Sequence, residues 1–149
     1  MMTTKCAVVL FFLMSLSVYL HAQPPTHIPL MNSTWKMIAE RTYKKNKDYK
    51  MVPSFPAKLT ALQNKVVELP GYIIPVNADL NHKEFMLAVV PMDQCPYCGQ
   101  GDIPSMVEVK MAKELTYTDK PVKIRGKLLL NETGDYRSEV FLLDAELVK

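Results

Sequence analysis

The chain has 149 residues and a formal net charge of +3, from 18 basic and 15 acidic side chains. That excess is too small to argue for nucleic acid or an anionic membrane surface as the partner of the chain as a whole. The length suits a single domain, which buries about two-thirds of its unfolded surface and needs no disulfide scaffold to build a core.

Residues 1–22 have the features of a secretory signal peptide. Lys5 supplies a short basic start, an apolar run extends from Cys6 to Leu20, and Ala22 marks a cleavage point. The run is shorter than the ~20 residues of a spanning helix, although a retained anchor is the alternative. We therefore predict a periplasmic or secreted protein of 127 residues (149 − 22), with no stable membrane insertion after cleavage.

Residues 23–58 are predicted to form a leader rich in proline and lysine, with one short helix. Its prolines, concentrated in residues 23–31, favour extended chain. A helix is predicted over Asn32 to Tyr43, capped by one of the three polar residues at its start, with Trp35 packing over one end of the core. The basic stretch 41–50 is interpreted as a solvated linker face in preference to an anion-binding patch.

Residues 59–149 show the alternation of strands and are predicted to form the main domain. Pro70-Gly71 interrupts the first strand and Gly126 lies on the inner face of the fourth, where bends could close a barrel. The fold predicted is mainly β, a small five-stranded OB-like antiparallel barrel with an N-terminal helical or extended segment. Another five-stranded barrel or sandwich is the alternative. The predicted strands are 66–76, 84–90, 105–111, 122–130 and 137–148, with turns at 77–83 and 131–136 and a helical turn or loop at 112–120.

Cys95 and Cys98 lie in a loop rich in proline and glycine between the second and third strands. The motif Cys-Pro-Tyr-Cys also occurs in glutaredoxins, where a helix start favours the thiolate. Here Gly-Gln-Gly-Asp-Ile-Pro follows, which disfavours a helix, and the remaining strands do not match a thioredoxin fold. A thiol-disulfide redox accessory protein is thus an alternative, as is a disulfide-stapled loop in a structural or interaction module.

Metal binding is the preferred interpretation of this pair. Two thiolates at this spacing can chelate one Zn²⁺ or Cu(I) ion, and zinc requires further ligands. Asp93 and Asp102 flank the pair closely, and His82 is a third candidate that must share a barrel end with the loop. As a residue of the 77–83 turn, His82 is interpreted mainly as a solvated side chain. No hydrolase constellation is visible, so we predict a protein that is not an enzyme.

Several segments together resemble a bacterial family of small exported proteins catalogued as a domain of unknown function. They are Trp35, the strand Val66 to Pro75 with its Gly-Tyr-Ile-x-Pro ending, Glu84 to Leu87, and the Cys95 to Cys98 loop. The resemblance implies an OB-like barrel and a role in metal handling. It also implies a metal transporter or export complex as partner, and no nucleic acid.

Overall fold

The computed structural model describes residues 29–91, 105–135 and 138–148. The predicted signal peptide therefore lies outside the described residues, as does most of the loop that carries the two cysteines. The helices and strands, in chain order, are α1 (Ser33–Ala39), β1 (Thr42–Lys45), β2 (Met51–Ser54), α2 (Ala57–Thr60), β3 (Val66–Pro75), β4 (Asn81–Ala88), β5 (Met106–Thr116), β6 (Val122–Leu130) and β7 (Val140–Leu147).

Strands β3 to β7 form a closed barrel in the order β3-β4-β5-β7-β6, with β6 returning to pair with β3. Four of the five pairings are antiparallel, and β5 pairs with β7 in parallel. Numbered within the barrel, the order is 1-2-3-5-4, closing on strand 1. This is a five-stranded OB-like Greek-key barrel, and the predicted fold class is confirmed.

The long strand β3 belongs to both sides of the barrel because it bends in the middle. Its first part, Val66 to Gly71, pairs with β6, and its last part, Tyr72 to Pro75, pairs with β4. At the change of partner, a Cβ on Gly71 would lie 2.7 Å from Leu87 Cγ and 2.8 Å from a backbone oxygen of β4. Only glycine fits so close an approach of two strands, which explains the bend predicted at this dipeptide.

The core is formed by the inward-facing side chains of the barrel together with residues of α1 and α2. Trp35 is fully buried, and its Nε1 donates a 2.7 Å hydrogen bond to the Pro70 carbonyl. The Asn32 side chain accepts from the Trp35 amide at 2.9 Å, so it is the N-cap, and it also donates to the Glu68 carbonyl. Both helices therefore pack onto the barrel through an apolar face, as was expected of Trp35. The largest buried apolar side chains are Trp35, Phe85, Ile38, Leu59, Leu69, Leu87, Ile124, Leu128 and Leu142.

The basic stretch 41–50, interpreted from the sequence as a linker, instead forms most of a β-hairpin. β1 and β2 pair with each other in a two-stranded sheet, with Lys45 opposite Met51. The Asn46 side chain accepts hydrogen bonds from the amides of Asp48 and Lys50, both at 2.9 Å. The linker prediction was wrong because this local turn chemistry, rather than hydrophobic alternation, closes the hairpin.

Three boundaries also differ from the predictions. The helix predicted to reach Tyr43 ends at Ala39, and β4 begins at Asn81 instead of residue 84. Strand β5 continues to Thr116 through a segment predicted as a helical turn or loop. An irregularity in register between His82 and Glu84 lets β4 and β5 keep pairing beyond the predicted turn. Among the helices that the structure describes, none is long and apolar enough to cross a membrane.

Candidate metal-binding loop

The cysteine loop is rooted at one end of the barrel, here called the loop end. It leaves β4 after Ala88 and enters β5 at Met106, and these two residues are paired in the sheet. The amide of Val89 also donates to the carbonyl of Ser105 at 3.3 Å. The candidate ligands Cys95, Cys98, Asp93 and Asp102 lie in residues 92–104, outside the described part of the chain. What the structure supplies is the fixed base from which this segment departs.

The loop end is also where the N-terminal elements meet the barrel. The amide of Leu30 donates to the Val89 carbonyl at 2.9 Å, next to the departure of the cysteine loop. Because β7 runs parallel to β5 and begins at Val140, the connection 131–139 reaches the same end. Arg41 Nε, just after α1, lies 2.6 Å from Glu139 Oε2 of that connection. The base of the cysteine loop is therefore held between ordered neighbours.

His82 lies at the opposite end of the barrel, on β4 beside Leu115 of β5. Six residues of strand separate it from Ala88 (88 − 82), a distance of about 20 Å at ~3.3 Å per residue. Its side chain is 1% exposed, so the interpretation as a solvated turn residue was wrong. The cause is inward orientation: β4 starts earlier than predicted, and alternation across the register irregularity turns the imidazole into the barrel.

The imidazole of His82 has an unusual environment for a buried polar group. Within the described part of the chain, neither ring nitrogen has a hydrogen-bond partner. The ring of Tyr117 approaches it edge-on, with centroids 6.3 Å apart and planes at 79°. No group of three His, Cys, Asp or Glu side chains among residues 29–91, 105–135 and 138–148 could hold a metal ion. The residues beside His82 thus supply no metal site of their own.

A surface cleft lies on the outer face of β5, β7 and β6, also toward the loop end. Its volume is about 440 Å³, and its floor includes Phe141 and Leu143. In its wall, the Asn131 amide donates to Asp135 Oδ1 at 3.0 Å and to the Ser138 carbonyl at 3.2 Å. These polar groups hold the 131–139 connection in shape, so the cleft is explained by loop structure.

Comparison of the chain with family models, with curated proteins and with solved structures finds no match. The resemblance to a family of exported OB-like proteins stays a prediction.

Proposed function

We propose that this protein is exported, is not an enzyme, and binds a soft transition metal, Zn²⁺ or Cu(I), through Cys95 and Cys98. After removal of the predicted signal peptide, with its Cys6, these are the two cysteines of the chain. Thiolates are the ligands that both ions prefer, and two thiolates alone can hold Cu(I). A role in metal handling beside a transporter or export complex is the context that the resemblance implies.

The observation that carries this proposal is the way the loop is anchored. Thirteen residues, 92–104, connect two strands whose ends are paired at Ala88 and Met106. Closing a loop of this kind has already been achieved by the barrel, so chelation needs to order only the segment between fixed ends. A preorganised base of this sort supports affinity for an ion held by few ligands.

The barrel also favours metal binding over thiol-disulfide exchange. Thioredoxin-type chemistry places its second cysteine at the start of a long helix whose unpaired amides favour the thiolate. Here strand β5 begins eight residues after Cys98 (106 − 98), which leaves little chain for such a helix. Support for a redox role is correspondingly weaker.

The position of His82 separates the candidate ligands. Asp93 and Asp102 lie within a few residues of the cysteines, whereas His82 is about 20 Å along β4 from the base of the loop. We therefore rank the two carboxylates ahead of the imidazole as additional zinc ligands. Carboxylate oxygens complete zinc sites at distances of about 2.0–2.2 Å.

The test is metal titration of the exported protein under reducing conditions. About one Zn²⁺ or Cu(I) ion should bind per chain or per dimer, and affinity should fall as the pH drops because thiols must lose their protons. Cys95→Ser combined with Cys98→Ser should abolish binding. Asp93→Asn and Asp102→Asn should weaken zinc binding by roughly tenfold if the carboxylates are ligands. His82→Leu is the matched control that should leave the stoichiometry unchanged.

Thiol titration beside the metal analysis distinguishes the alternatives. Absence of metal together with a readily reducible disulfide would contradict the proposal in favour of redox chemistry. Absence of metal with a disulfide that resists reduction would contradict it in favour of a structural staple.

A further inference from the structure

The positive charge of this protein is concentrated in one small element. The segment from Thr42 to Ser54, here called the basic hairpin, contains four lysines and one aspartate and so carries +3 (4 − 1). The whole chain also carries +3, from 18 basic and 15 acidic residues. The other 136 residues therefore have 14 basic and 14 acidic side chains (18 − 4 and 15 − 1) and are neutral as a set. The small net charge of the chain conceals a strongly basic patch.

The basic hairpin presents these charges to solvent. Its four lysines are all exposed, and none of them is in an ion pair found among the described residues. Within that part of the chain its two strands pair only with each other and not with the barrel. The lysines are Lys44, Lys45, Lys47 and Lys50.

Apolar side chains are exposed between the lysines. Tyr49, at the hairpin tip, is 84% exposed, and Tyr43 and Met51 are 51% and 54% exposed. Since Lys45 is paired with Met51 and alternates with Tyr43, these three side chains share one face of the ribbon. Tyr49 also has a φ of +59°, a conformation that costs a non-glycine residue energy. The fold thus holds an aromatic ring outward in solvent without any packing return.

We propose that the basic hairpin docks this protein on the surface of an anionic lipid bilayer. The lysines supply attraction to a diffuse negative surface, for which compact hydrated ammonium groups suffice. Tyrosine rings are favoured at the depth of the lipid headgroups, where one end is apolar and the other is wet. A nucleic acid is less well matched, because bidentate recognition of phosphate favours arginine and single strands favour a row of stacking rings.

The attachment of the hairpin to the barrel determines which part of the protein would face the bilayer. Gly134 of the 131–139 connection packs against β2, where a Cβ would lie 2.9 Å from the Met51 carbonyl oxygen and 3.0 Å from Val52 Cγ1. Val52 itself is buried. Because this connection lies at the loop end, docking through the hairpin brings the base of the cysteine loop toward the membrane. The proposal does not depend on metal binding, but it would place a metal-binding loop beside membrane transporters.

The experiment is co-sedimentation with lipid vesicles, using protein that begins at Gln23 so that the apolar signal segment cannot contribute. Every described element lies in residues 29–148 and is retained. Binding to vesicles of phosphatidylcholine and phosphatidylglycerol at 3:1 should exceed binding to pure phosphatidylcholine by more than about 100-fold in low salt, at about fivefold per lysine. The difference should shrink as salt is raised, because the Debye length shortens.

A matched pair of variants isolates the hairpin. Changing its four lysines to glutamine should reduce binding to the phosphatidylglycerol vesicles by more than about 100-fold. A control changes four exposed barrel lysines to glutamine, with the same loss of charge, and should retain most of the binding. The control lysines are Lys113, Lys120, Lys123 and Lys127. Tyr49→Asn, which suits the positive φ, should weaken binding without affecting folding.

Three outcomes would overturn the proposal. One is equal binding to both kinds of vesicle, and another is an equal loss in the two lysine variants. The third is tighter binding of a single-stranded oligonucleotide than of vesicles at the same salt concentration, which would identify a nucleic-acid surface instead. Circular dichroism of each variant verifies that the barrel is intact, so a loss of binding cannot be attributed to unfolding.

Discussion

Replacing His82 by leucine should make this protein more stable, although the side chain is in the interior. The imidazole is 1% exposed, and neither of its nitrogens has a hydrogen-bond partner among the residues that the structure describes. A neutral imidazole has one N–H donor and one acceptor nitrogen, and both gave up bonds to water on folding. Leucine is of similar size and has no polar group to desolvate.

The magnitude follows from the groups removed. Each unsatisfied buried polar atom costs about 1–3 kcal/mol, so two of them cost at least about 2 kcal/mol. The edge-on contact with Tyr117 is lost in the variant and had contributed about 0.5–1.5 kcal/mol. The difference leaves a gain of about 1 kcal/mol in the free energy of unfolding. For a domain of this size, that raises the melting temperature by about 4 °C.

Equilibrium unfolding in urea measures the change, with His82→Ala as the control. Alanine removes the same nitrogens but leaves a cavity, so it should be less stable than the leucine variant by about 2–5 kcal/mol. A leucine variant less stable than the parent protein would refute the reasoning, because the nitrogens must then have partners. If its zinc stoichiometry also fell, His82 would be a ligand after all and the ranking behind the two aspartates would be wrong.

Three further substitutions test the fold. Trp35→Phe removes the hydrogen bond to the Pro70 carbonyl and should cost about 1–3 kcal/mol, measured by urea unfolding followed by circular dichroism; an unchanged midpoint would show that the bond contributes nothing. Gly71→Ala should cost about 3 kcal/mol or more, because the added Cβ meets neighbours at 2.7–2.8 Å, whereas Gly126→Ala, with neighbours at 3.1–3.2 Å, should cost about 1 kcal/mol; equal losses would contradict the packing argument. Tyr49→Gly should raise the melting temperature through relief of up to about 1–2 kcal/mol at its positive φ, and a lower value would indicate contacts that its 84% exposure does not suggest.

The barrel could be predicted because its strands carry local signals. β6 was placed over Val122–Leu130, the observed range, since its apolar and charged residues alternate without interruption. The bend at Gly71 was anticipated from a glycine within a strand pattern. The parallel pairing of β5 with β7 has no local signal, because it depends on how distant strands meet when the barrel closes.

The errors fell where a segment is polar but ordered. The basic hairpin and the first residues of β4 were predicted as linker and turn from their charged or turn-forming residues. In both places backbone pairing overrode composition: Asn46 closes the hairpin, and β5 supplies partners to Asn81 and His82. Such pairing partners are 5 to more than 30 residues away along the chain, beyond the reach of a pattern in one window.

The sequence by itself determined the strand pattern, the bend and the identity of the chemistry, because alternation, glycine geometry and thiol ligands are properties of residues in their local order. Only the tertiary structure decided which of these features share a place. It put the base of the cysteine loop and the basic hairpin at one end of the barrel, and it buried His82 at the other. The reason is barrel closure, which assigns each connection to an end through strand direction and register rather than through proximity in the chain.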